Sequence, residues 1–382
     1  MTGASHRTSL FHILLLISST LAFVHSAKQA ASPTRPLLRK PSFVASSNTY
    51  TQNAIEQIRS LKQQSPLMVL QDTHNSDAMP SDDTISARRT SSRSVLGIFA
   101  LSSFSLVTIA AKFGIFPGTP SSHGDFLPYT DLQILRDLGA SLLCGALAYA
   151  LVKSITWAAT PTPDRPAFLQ PRDARKITHT LSATAYMLFW PLFSSATGAR
   201  YFAAVVPLIN GARLILAANV DDDDENNSLA SALSRSGSKA EATGGPLIYV
   251  GILAAAILLF WRDQPAGVVA LSTMAAGDGL ADLVGRRFGK NNKWPTALTG
   301  VNNRKSIAGS VALVTASVLT SVGILLWLQA TGSLLTTLPP LGELVAKLLV
   351  ITVGAAFVEL VPIADDNYTV PMTAAALSLL FF

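Results

Sequence analysis

Charged residues are scarce in this 382-residue chain, and cysteine is nearly absent. Only 14% of the residues are charged, against about 25% in an average soluble domain, while 49% are hydrophobic and the mean hydropathy is +0.37. This composition predicts an integral membrane protein with membrane lipids as partners. The single cysteine, Cys144, excludes a disulfide or a cysteine-based metal site within one chain. The net charge of +6 comes with no nucleic-acid-binding pattern, so nucleic acid is not expected as a partner.

Acidic residues are missing from the first 55 residues of the N-terminal leader, since the first one is Glu56. A short apolar run at 10–24 follows Arg7 and falls below the length of about 20 residues that a membrane span needs, which is typical of a secretory signal peptide. The next residues are rich in Ser, Thr, Pro, Lys and Arg, which is transit-peptide composition. We predict a signal peptide at 1–22, a transit peptide and disordered leader at 23–93, and a polytopic membrane domain at 94–382.

The order of the two leader segments indicates where the protein resides. A signal peptide followed by a transit peptide resembles the bipartite presequences of plastid proteins, in which a Phe follows the signal cleavage site, here Phe23. This predicts a multi-pass protein of a plastid (chloroplast) membrane. A signal peptide followed by a disordered lumenal tail is the alternative, and it predicts the endoplasmic reticulum membrane.

Apolar segments recur along the rest of the chain. Several are close to the length that spans a bilayer as a helix, while those starting at 179, 246 and 369 are short. The segments are 95–111, 132–152, 179–195, 201–218, 246–261, 265–284, 305–329, 343–361 and 369–382. The predicted fold is an all-α integral membrane protein, a polytopic bundle of about seven to nine transmembrane helices.

If all these segments cross the membrane, their loops alternate between two faces. The first, here called the site face, contains the loops 153–178, 219–245, 285–304 and 362–368. The second, the opposite face, contains 112–131, 196–200, 262–264 and 330–342. The opposite face carries three cations, whereas the site face carries the following twelve: Lys153, Arg165, Arg172, Arg175, Lys176, Arg235, Lys239, Arg286, Arg287, Lys290, Lys293 and Arg304. The positive-inside tendency therefore predicts that the site face lies in the cytosol or plastid stroma.

The stretch 277–309 begins with two carboxylates inside an apolar segment. Asp278 and Asp282 are four residues apart, so on a helix they share one face. Asp278 lies about 10 Å from the segment boundary at the helical rise per residue, where a charge normally faces a cavity, a partner or an ion. The glycines that flank it permit close approach of a ligand or of another backbone. Ion pairing with Arg286 or Arg287 inside the bundle is the structural alternative.

A strongly basic loop follows these acids. Arginine and lysine side chains bind phosphate groups, and Lys305 and Ser306 open the next helix, whose N-terminal N–H groups favour an anion. The spacing of a Walker P-loop is absent. Acids at a membrane boundary beside concentrated cations predict a site for a metal and a polyphosphate.

Three further polar clusters lie on the site face. The first is Arg175-Lys176 followed by His179, the second is Ser-Arg-Ser-Gly at 234–237 followed by Gly-Gly-Pro-Leu at 244–247, and the third is Glu359 with Asp-Asp-Asn at 365–367. Each cluster is a weak signal alone, but all three converge on one face.

Together these patterns resemble the polyprenol kinase family, and particularly its phytol kinase and farnesol kinase branch. The most specific part is GDGLADLVGRRFG at 277–289, then Lys293-Trp294-Pro295, then Lys305-Ser306-x-x-Gly309-Ser310. The three polar clusters fit the same family in the same order, so the resemblance covers residue 175 to the C-terminus.

The resemblance implies phosphorylation of an isoprenoid alcohol in the bilayer by a nucleoside triphosphate from the aqueous face. The expected donor is CTP, the cofactor Mg²⁺ or another divalent cation, and the alcohol phytol, giving phytyl phosphate for tocopherol and related prenyl lipids. The catalytic candidates are Asp278, Asp282 and Lys305; the nucleotide- and phosphate-binding candidates are Arg286, Arg287, Lys293, Arg304, Ser306, Arg235 and Lys176; the metal candidates are Asp278, Asp282, Asp365 and Asp366. A lipid cytidylyltransferase, which can also carry Asp-x-x-x-Asp on a helix, and a non-enzymatic membrane transporter are the alternatives.

Overall fold

The computed structural model describes residues 82–120, 126–219, 244–299, 305–361 and 366–382. The chain divides into two compact units, Met1–Ile85 and Ser86–Phe382, and the contacts reported below lie within the second. The predicted signal peptide and most of the predicted transit segment lie outside the described residues. The first described helix begins at Asp82, within the residues predicted to be leader.

Helices cover every apolar segment predicted from the sequence, and strand pairing in the described residues is limited to isolated bridges. The α-helices are α1 (Asp82–Lys112), α2 (Asp131–Ala159), α3 (Pro171–Leu188), α4 (Ala199–Asn219), α5 (Gly245–Leu259), α6 (Pro265–Ser272), α7 (Asp278–Phe288), α8 (Thr296–Thr299), α9 (Ile307–Ala330), α10 (Leu341–Leu360) and α11 (Asp366–Phe381). The prediction of an all-α polytopic membrane bundle is confirmed.

Six helical segments within the described residues are long and apolar enough to cross a membrane. They are Ser94–Lys112, Asp131–Ala159, Ala199–Leu216, Pro265–Phe288, Ile307–Ala330 and Leu341–Leu360. The three segments that the sequence marks as short form α3, α5 and α11, which fall outside this set.

Local sequence fixes several helix starts. Thr130 and Gln133 form a capping box at α2, in which each side chain accepts from the other residue's backbone N–H, at 3.3 and 3.0 Å. Pro171 occupies the first turn of α3, where a missing N–H costs nothing. At α9 the Ser306 hydroxyl accepts from Gly309 N–H at 3.2 Å.

The central element of the bundle is a helix interrupted by one π turn. Helix α6 continues through the π turn Thr273–Gly277 into α7, and every residue of α6 and of the π turn is buried. The Asp278 N–H donates to Ala275 O and Thr273 O, three and five residues back, and not to Met274 O as it would in an α-helix. Such π turns often occur at functional sites, and this one ends at Asp278.

Helices α7 and α9 meet at a junction of small residues. A Cβ atom on Gly289 would lie 2.3 Å from Gly285 O and 2.6 Å from the Ser306 Cβ, and one on Gly285 would lie 3.6 Å from the Gly309 Cα. Lys293 and Ser306 pair in an antiparallel bridge. The glycine-rich motif therefore builds a close helix contact.

The loops group into the two predicted faces. On the site face Arg286 pairs with Asp173 at 2.8 Å, which brings the end of α7 to the start of α3. On the opposite face Leu335 N–H donates to Arg262 O at 3.0 Å, and Gly198 N–H donates to Pro117 O at 2.9 Å. Which aqueous compartment each face meets stays a prediction.

A buried polar network stabilises the opposite face. Asp137 accepts from Ser194 N–H at 2.5 Å, from the Ser194 hydroxyl at 2.7 Å and from the Tyr129 hydroxyl. Arg262 donates to Ser194 O and lies 5.0 Å from the Trp261 ring centroid. Burial raises the pKa of Tyr129 above its ordinary range and lowers the pKa of Arg262 to about 10. The side chains of Tyr129, Asp137, Ser194 and Arg262 thus each meet a polar partner inside the protein.

Candidate functional site

A cavity of about 670 Å³ lies among α2, α3, α4 and α5 and reaches the start of α7 and of α11. Its charged lining residues lie at the starts of α3, α7 and α11 and on α4, whereas the lining far from the start of α5 is apolar. The polar and charged lining residues include Arg175, Lys176, His179, Asn210, Arg213, Asp278, Asp366 and Asn367. The apolar lining includes Val152, Tyr186, Val206, Pro207, Leu214, Val250 and Leu253. A ligand with a polar head and a hydrocarbon tail matches this division.

Asp278 lies at the boundary between the two halves of the cavity. Its side chain is 13% exposed, and its Oδ2 atom is 2.8 Å from Lys176 Nζ and 3.3 Å from His179 Nε2. Lys176 and His179 are three residues apart, so one face of α3 presents both to the carboxylate. Its partners are therefore on α3, whereas the sequence suggested Arg286 or Arg287 for a structural pairing. Neither contact uses Oδ1.

His179 is fixed on several sides. Its Nε2 lies 2.9 Å from Met274 O, the carbonyl that the π turn diverts from the Asp278 N–H. Because a carbonyl only accepts, Nε2 carries a hydrogen. The His179 ring lies 4.4 Å from the Tyr249 ring, whose hydroxyl donates to His179 O at 2.8 Å. The π turn and α5 together hold the imidazole against Asp278.

Asp282 lies one turn farther along α7 and faces the same helix, α3, as the spacing predicts. Its partners are Arg286 Nε at 3.0 Å and Arg172 at 3.7 Å. Arg286 also contacts Asp173 at 2.8 Å, and Arg287 contacts Asp173 at 3.3 Å. Asp282 is not among the cavity-lining residues. These ion pairs tie α7 to the start of α3, which is the structural role that the sequence offered as the alternative.

Lys305 connects three helices. Its Nζ atom lies 2.6 Å from Glu359 Oε1 and 2.6 Å from Asp366 Oδ2, so the start of α9 is joined to the end of α10 and the start of α11. Burial alone lowers the pKa of Lys305, but the two carboxylates outweigh this effect and hold the pKa above its ordinary value. Lys305 itself is not a cavity-lining residue, although it anchors Asp366, which is.

The predicted site residues divide into three groups. Lys176, Asp278 and Asp366 line the cavity, whereas Asp282, Arg286, Arg287, Lys293, Lys305 and Ser306 do not. The third group, Arg235, Arg304 and Asp365, lies outside the described residues. Among the second group Ser306 is used as the α9 cap, and Arg287 has a side chain that is 59% exposed.

Several polar lining residues were not among the predicted site residues. Arg175 and His179 are four residues apart, in the same short motif as Lys176. This helical spacing could have indicated that they share a site with it. Asn210 and Arg213 lie within a segment that the sequence marks as membrane-spanning, where a polar or charged side chain is a functional signal by default. Asn367 was noted only as part of an acidic cluster.

The glycines beside Asp278 allow helices to pack closely. A Cβ atom on Gly277 would lie 2.3 Å from Ser317 Oγ of α9, and one on Gly279 would lie 1.8 Å from Thr180 Oγ1 of α3. The sequence left open whether a ligand or a neighbouring element uses this space. The neighbouring helices fill it.

The residues that line the cavity fit a magnesium ion held with the help of phosphates. Among the described residues, no three His, Cys, Asp or Glu side chains converge on one point as a metal site of protein ligands alone requires. Mg²⁺ is commonly held by one or two carboxylates plus substrate phosphates and water. Asp278 and Asp366 are carboxylates in the same cavity and supply that minimal set.

Comparison with curated sequences finds relatives named phytol kinase and farnesol kinase. The chain is 38% identical over 253 residues to a probable chloroplastic phytol kinase of Triticum aestivum, covering 65% of this chain and 79% of the relative. It is 36% identical over 253 residues to the chloroplastic phytol kinase 1 of Arabidopsis thaliana, covering 65% and 78%. It is also 36% identical over 211 residues to the chloroplastic farnesol kinase of Arabidopsis thaliana, covering 54% and 65%. No protein-family model and no solved structure matches. The chain therefore belongs to the polyprenol kinase family, in its phytol kinase and farnesol kinase branch.

Proposed function

We propose that the protein transfers a phosphoryl group from CTP to the hydroxyl of an isoprenoid alcohol, with phytol as its main substrate. The observation that carries this proposal is one cavity that combines charged side chains at the helix starts with an apolar lining, and the partly buried Asp278 in its wall. The names of the relatives, phytol kinase and farnesol kinase, point to the same class of acceptor. A water-insoluble alcohol would place its chain in the apolar half and its hydroxyl beside Asp278.

Asp278 is the best placed residue to accept the alcohol proton. The alcohol oxygen attacks the γ-phosphorus of the nucleotide, the bond from that phosphorus to the β,γ-bridging oxygen breaks, and the nucleoside diphosphate leaves. Phosphoryl transfer of this kind depends mainly on positioning and on neutralising charge. His179 Nε2 already carries a hydrogen toward Met274 O, which favours the Asp278 carboxylate as the acceptor.

The cations of the cavity are the proposed phosphate ligands. Arg175, Lys176 and Arg213 line its polar half, and the first residue of α5, Gly245, lies beside them. A Cβ atom on Gly245 would lie 3.4 Å from Asn367 Nδ2 and 3.8 Å from the Arg175 guanidinium, so the helix N-terminus reaches the polar cluster closely. Free N–H groups there favour an anion. Arg235 and Arg304 stay predictions for the same role.

A divalent cation, for which Mg²⁺ is the proposal, would be held by Asp366 and by the phosphates of the nucleotide, which leaves Asp278 Oδ1 to accept the alcohol proton. When bound, it would neutralise charge on the transferred phosphate. Lys305 would act through Asp366, because it fixes that carboxylate at 2.6 Å. Asp282 and Arg286 would stabilise the α3–α7 contact beside the site.

We further propose that the protein is a multi-pass component of a plastid membrane with its site face toward the stroma. The relatives are named chloroplastic, and the leader composition supports the same compartment. The product would then be phytyl phosphate for tocopherol and related prenyl lipids. The endoplasmic reticulum is the alternative compartment.

The test is nucleotide labelling in membranes that contain the protein. CTP labelled in the α- or the γ-phosphate is supplied with phytol, geranylgeraniol or farnesol, and unlabelled ATP, GTP and UTP are tested as competitors. Entry of γ-label into the lipid supports the proposal, whereas entry of α-label supports the cytidylyltransferase alternative. Absence of α- and γ-label from the lipid with every alcohol would overturn the proposal and leave the transporter alternative.

A further inference from the structure

We propose that Tyr186 closes the inner end of the cavity and sets the length of alcohol chain that the enzyme accepts. This inference rests on the proposed function, because it concerns the substrate of the same site. It goes further by assigning chain-length selection to one side chain. Tyr186 lies on α3, the helix that also carries Lys176 and His179.

The order of lining residues along two helices gives the depth of the cavity. On α3 the lining runs from Lys176, which contacts Asp278, to Tyr186, ten residues farther, a distance of about 15 Å at the α-helical rise. On α5 it runs from Gly245 to Leu253, eight residues farther, or about 12 Å. Both helices start at the site face, so both place their apolar lining residues deep in the bundle.

Tyr186 is held rigidly at this inner end. Its side chain is buried, and its hydroxyl donates to Ala203 O of α4 at 2.6 Å. This bond fixes the ring across the gap between α3 and α4. Val206 and Leu253 also line the apolar half and are themselves buried, which completes a closed apolar wall.

The depth of the cavity places Tyr186 near the point where shorter and longer isoprenoid alcohols differ. A hydrocarbon chain advances about 1.3 Å per bond when bonds of about 1.5 Å zigzag, so about 15 Å holds roughly twelve bonds. That is about three isoprene units of four main-chain carbons each. Farnesol, with three units, would end near Tyr186, whereas the fourth unit of phytol would have to bend beside the ring. The Tyr186 ring therefore lies where the two alcohols differ.

Tyr186→Ala and Tyr186→Phe test this assignment in the full-length protein in membranes. The measured quantity is the ratio of kcat/KM for phytol to kcat/KM for farnesol, with CTP as donor. A hydrophobic pocket discriminates one methylene by about tenfold or more, so the ratio should rise at least about tenfold in Tyr186→Ala. Tyr186→Phe keeps the ring and loses only the hydrogen bond to Ala203, and its ratio should stay within about twofold of the wild type.

A second variant changes the same wall in the opposite sense. Leu253→Trp adds volume beside Tyr186 and should lower the ratio by about tenfold, which also tests the inference if Tyr186→Ala fails to fold. Unchanged ratios in the active variants, or an equal rise in Tyr186→Phe, would overturn the role of the ring while the kinase function stands. A wild-type protein that phosphorylates none of the alcohols would overturn the proposed function together with this inference.

Discussion

Two aspartates one helical turn apart have different surroundings. Asp278 is partly buried and contacts Lys176 and His179 in the wall of the cavity. Asp282 forms ion pairs with Arg286 and Arg172 outside it. Their spacing is evident from the sequence, but it does not tell the two apart. Only the packing of α3 distinguishes the candidate catalytic carboxylate from the structural one.

The first prediction compares Asp278→Asn with Asp282→Asn. The amide keeps the shape of the side chain but cannot accept a proton, and a positioned acid or base contributes about 10²–10⁴-fold to the rate. We expect kcat for phosphoryl transfer to fall at least about 100-fold in Asp278→Asn and less than about tenfold in Asp282→Asn. The assay follows γ-label from CTP into phytol at matched amounts of folded protein, which size-exclusion chromatography in detergent determines. Equal losses in the two variants would contradict the assignment.

At the scale of elements, the contact between α7 and α9 places the basic loop. Gly289 leaves no room for a side chain at the junction, Gly285 and Gly309 leave little, and Ser306 caps α9 from inside it. Lys305, next to this cap, is thereby directed to Glu359 and Asp366. The fixed junction orients Asp366 for its place in the cavity wall.

The second prediction concerns this junction. In Gly289→Ala the new Cβ atom would lie 2.3 Å from a backbone carbonyl, and overpacking of this kind costs about 1–3 kcal/mol. Gly323→Ala in α9 is the matched control, because a Cβ atom there meets nothing within 4 Å and alanine favours the helix. We expect a lower midpoint of thermal unfolding in detergent for Gly289→Ala and an unchanged or higher one for Gly323→Ala. A Gly289→Ala protein as stable as the wild type would show that the junction can relax.

Hydropathy alone was sufficient to predict the helices, because a membrane span needs a long apolar run whatever its neighbours are. It could not predict the π turn at 273–277, since every residue there is apolar or small and buried like those around it. Hydropathy also could not predict the partners of Lys305, because Glu359 and Asp366 are distant in sequence and contact Lys305 only in the folded bundle. Arg213 could have been predicted as a site residue, because it is a charge inside an apolar segment.

The two faces of the helical bundle differ in charge and in packing. The site face has the cavity mouth and dense ion pairs, including those of Asp173 with Arg286 and Arg287. The opposite face is closed by the buried network around Asp137 and Arg262. The proposed nucleotide would therefore meet a charged entrance at one end of the bundle.

The third prediction places these ends on opposite sides of the membrane. The only cysteine, Cys144, is buried and can be replaced by alanine to give a background for single exposed cysteines. Lys290→Cys reports on the site face and Thr331→Cys on the opposite face, and both positions are exposed. In sealed vesicles of uniform orientation a membrane-impermeant maleimide should label one variant at once and the other only after permeabilisation. Labelling of both from the same side would contradict the predicted topology.

The π turn also makes the central helix tolerant of a change in chain length. A π turn contains one residue more than the α-helical turn it replaces, so a chain lacking one residue such as Ala275 could close Pro265–Phe288 into a continuous α-helix with both ends in place. Met274 O would then accept from the helix itself, and His179 would lose its acceptor. A one-residue deletion here would preserve the membrane span while removing the support of the imidazole. Natural homologues shortened at this turn would therefore be expected to keep the fold and to lack the catalytic arrangement.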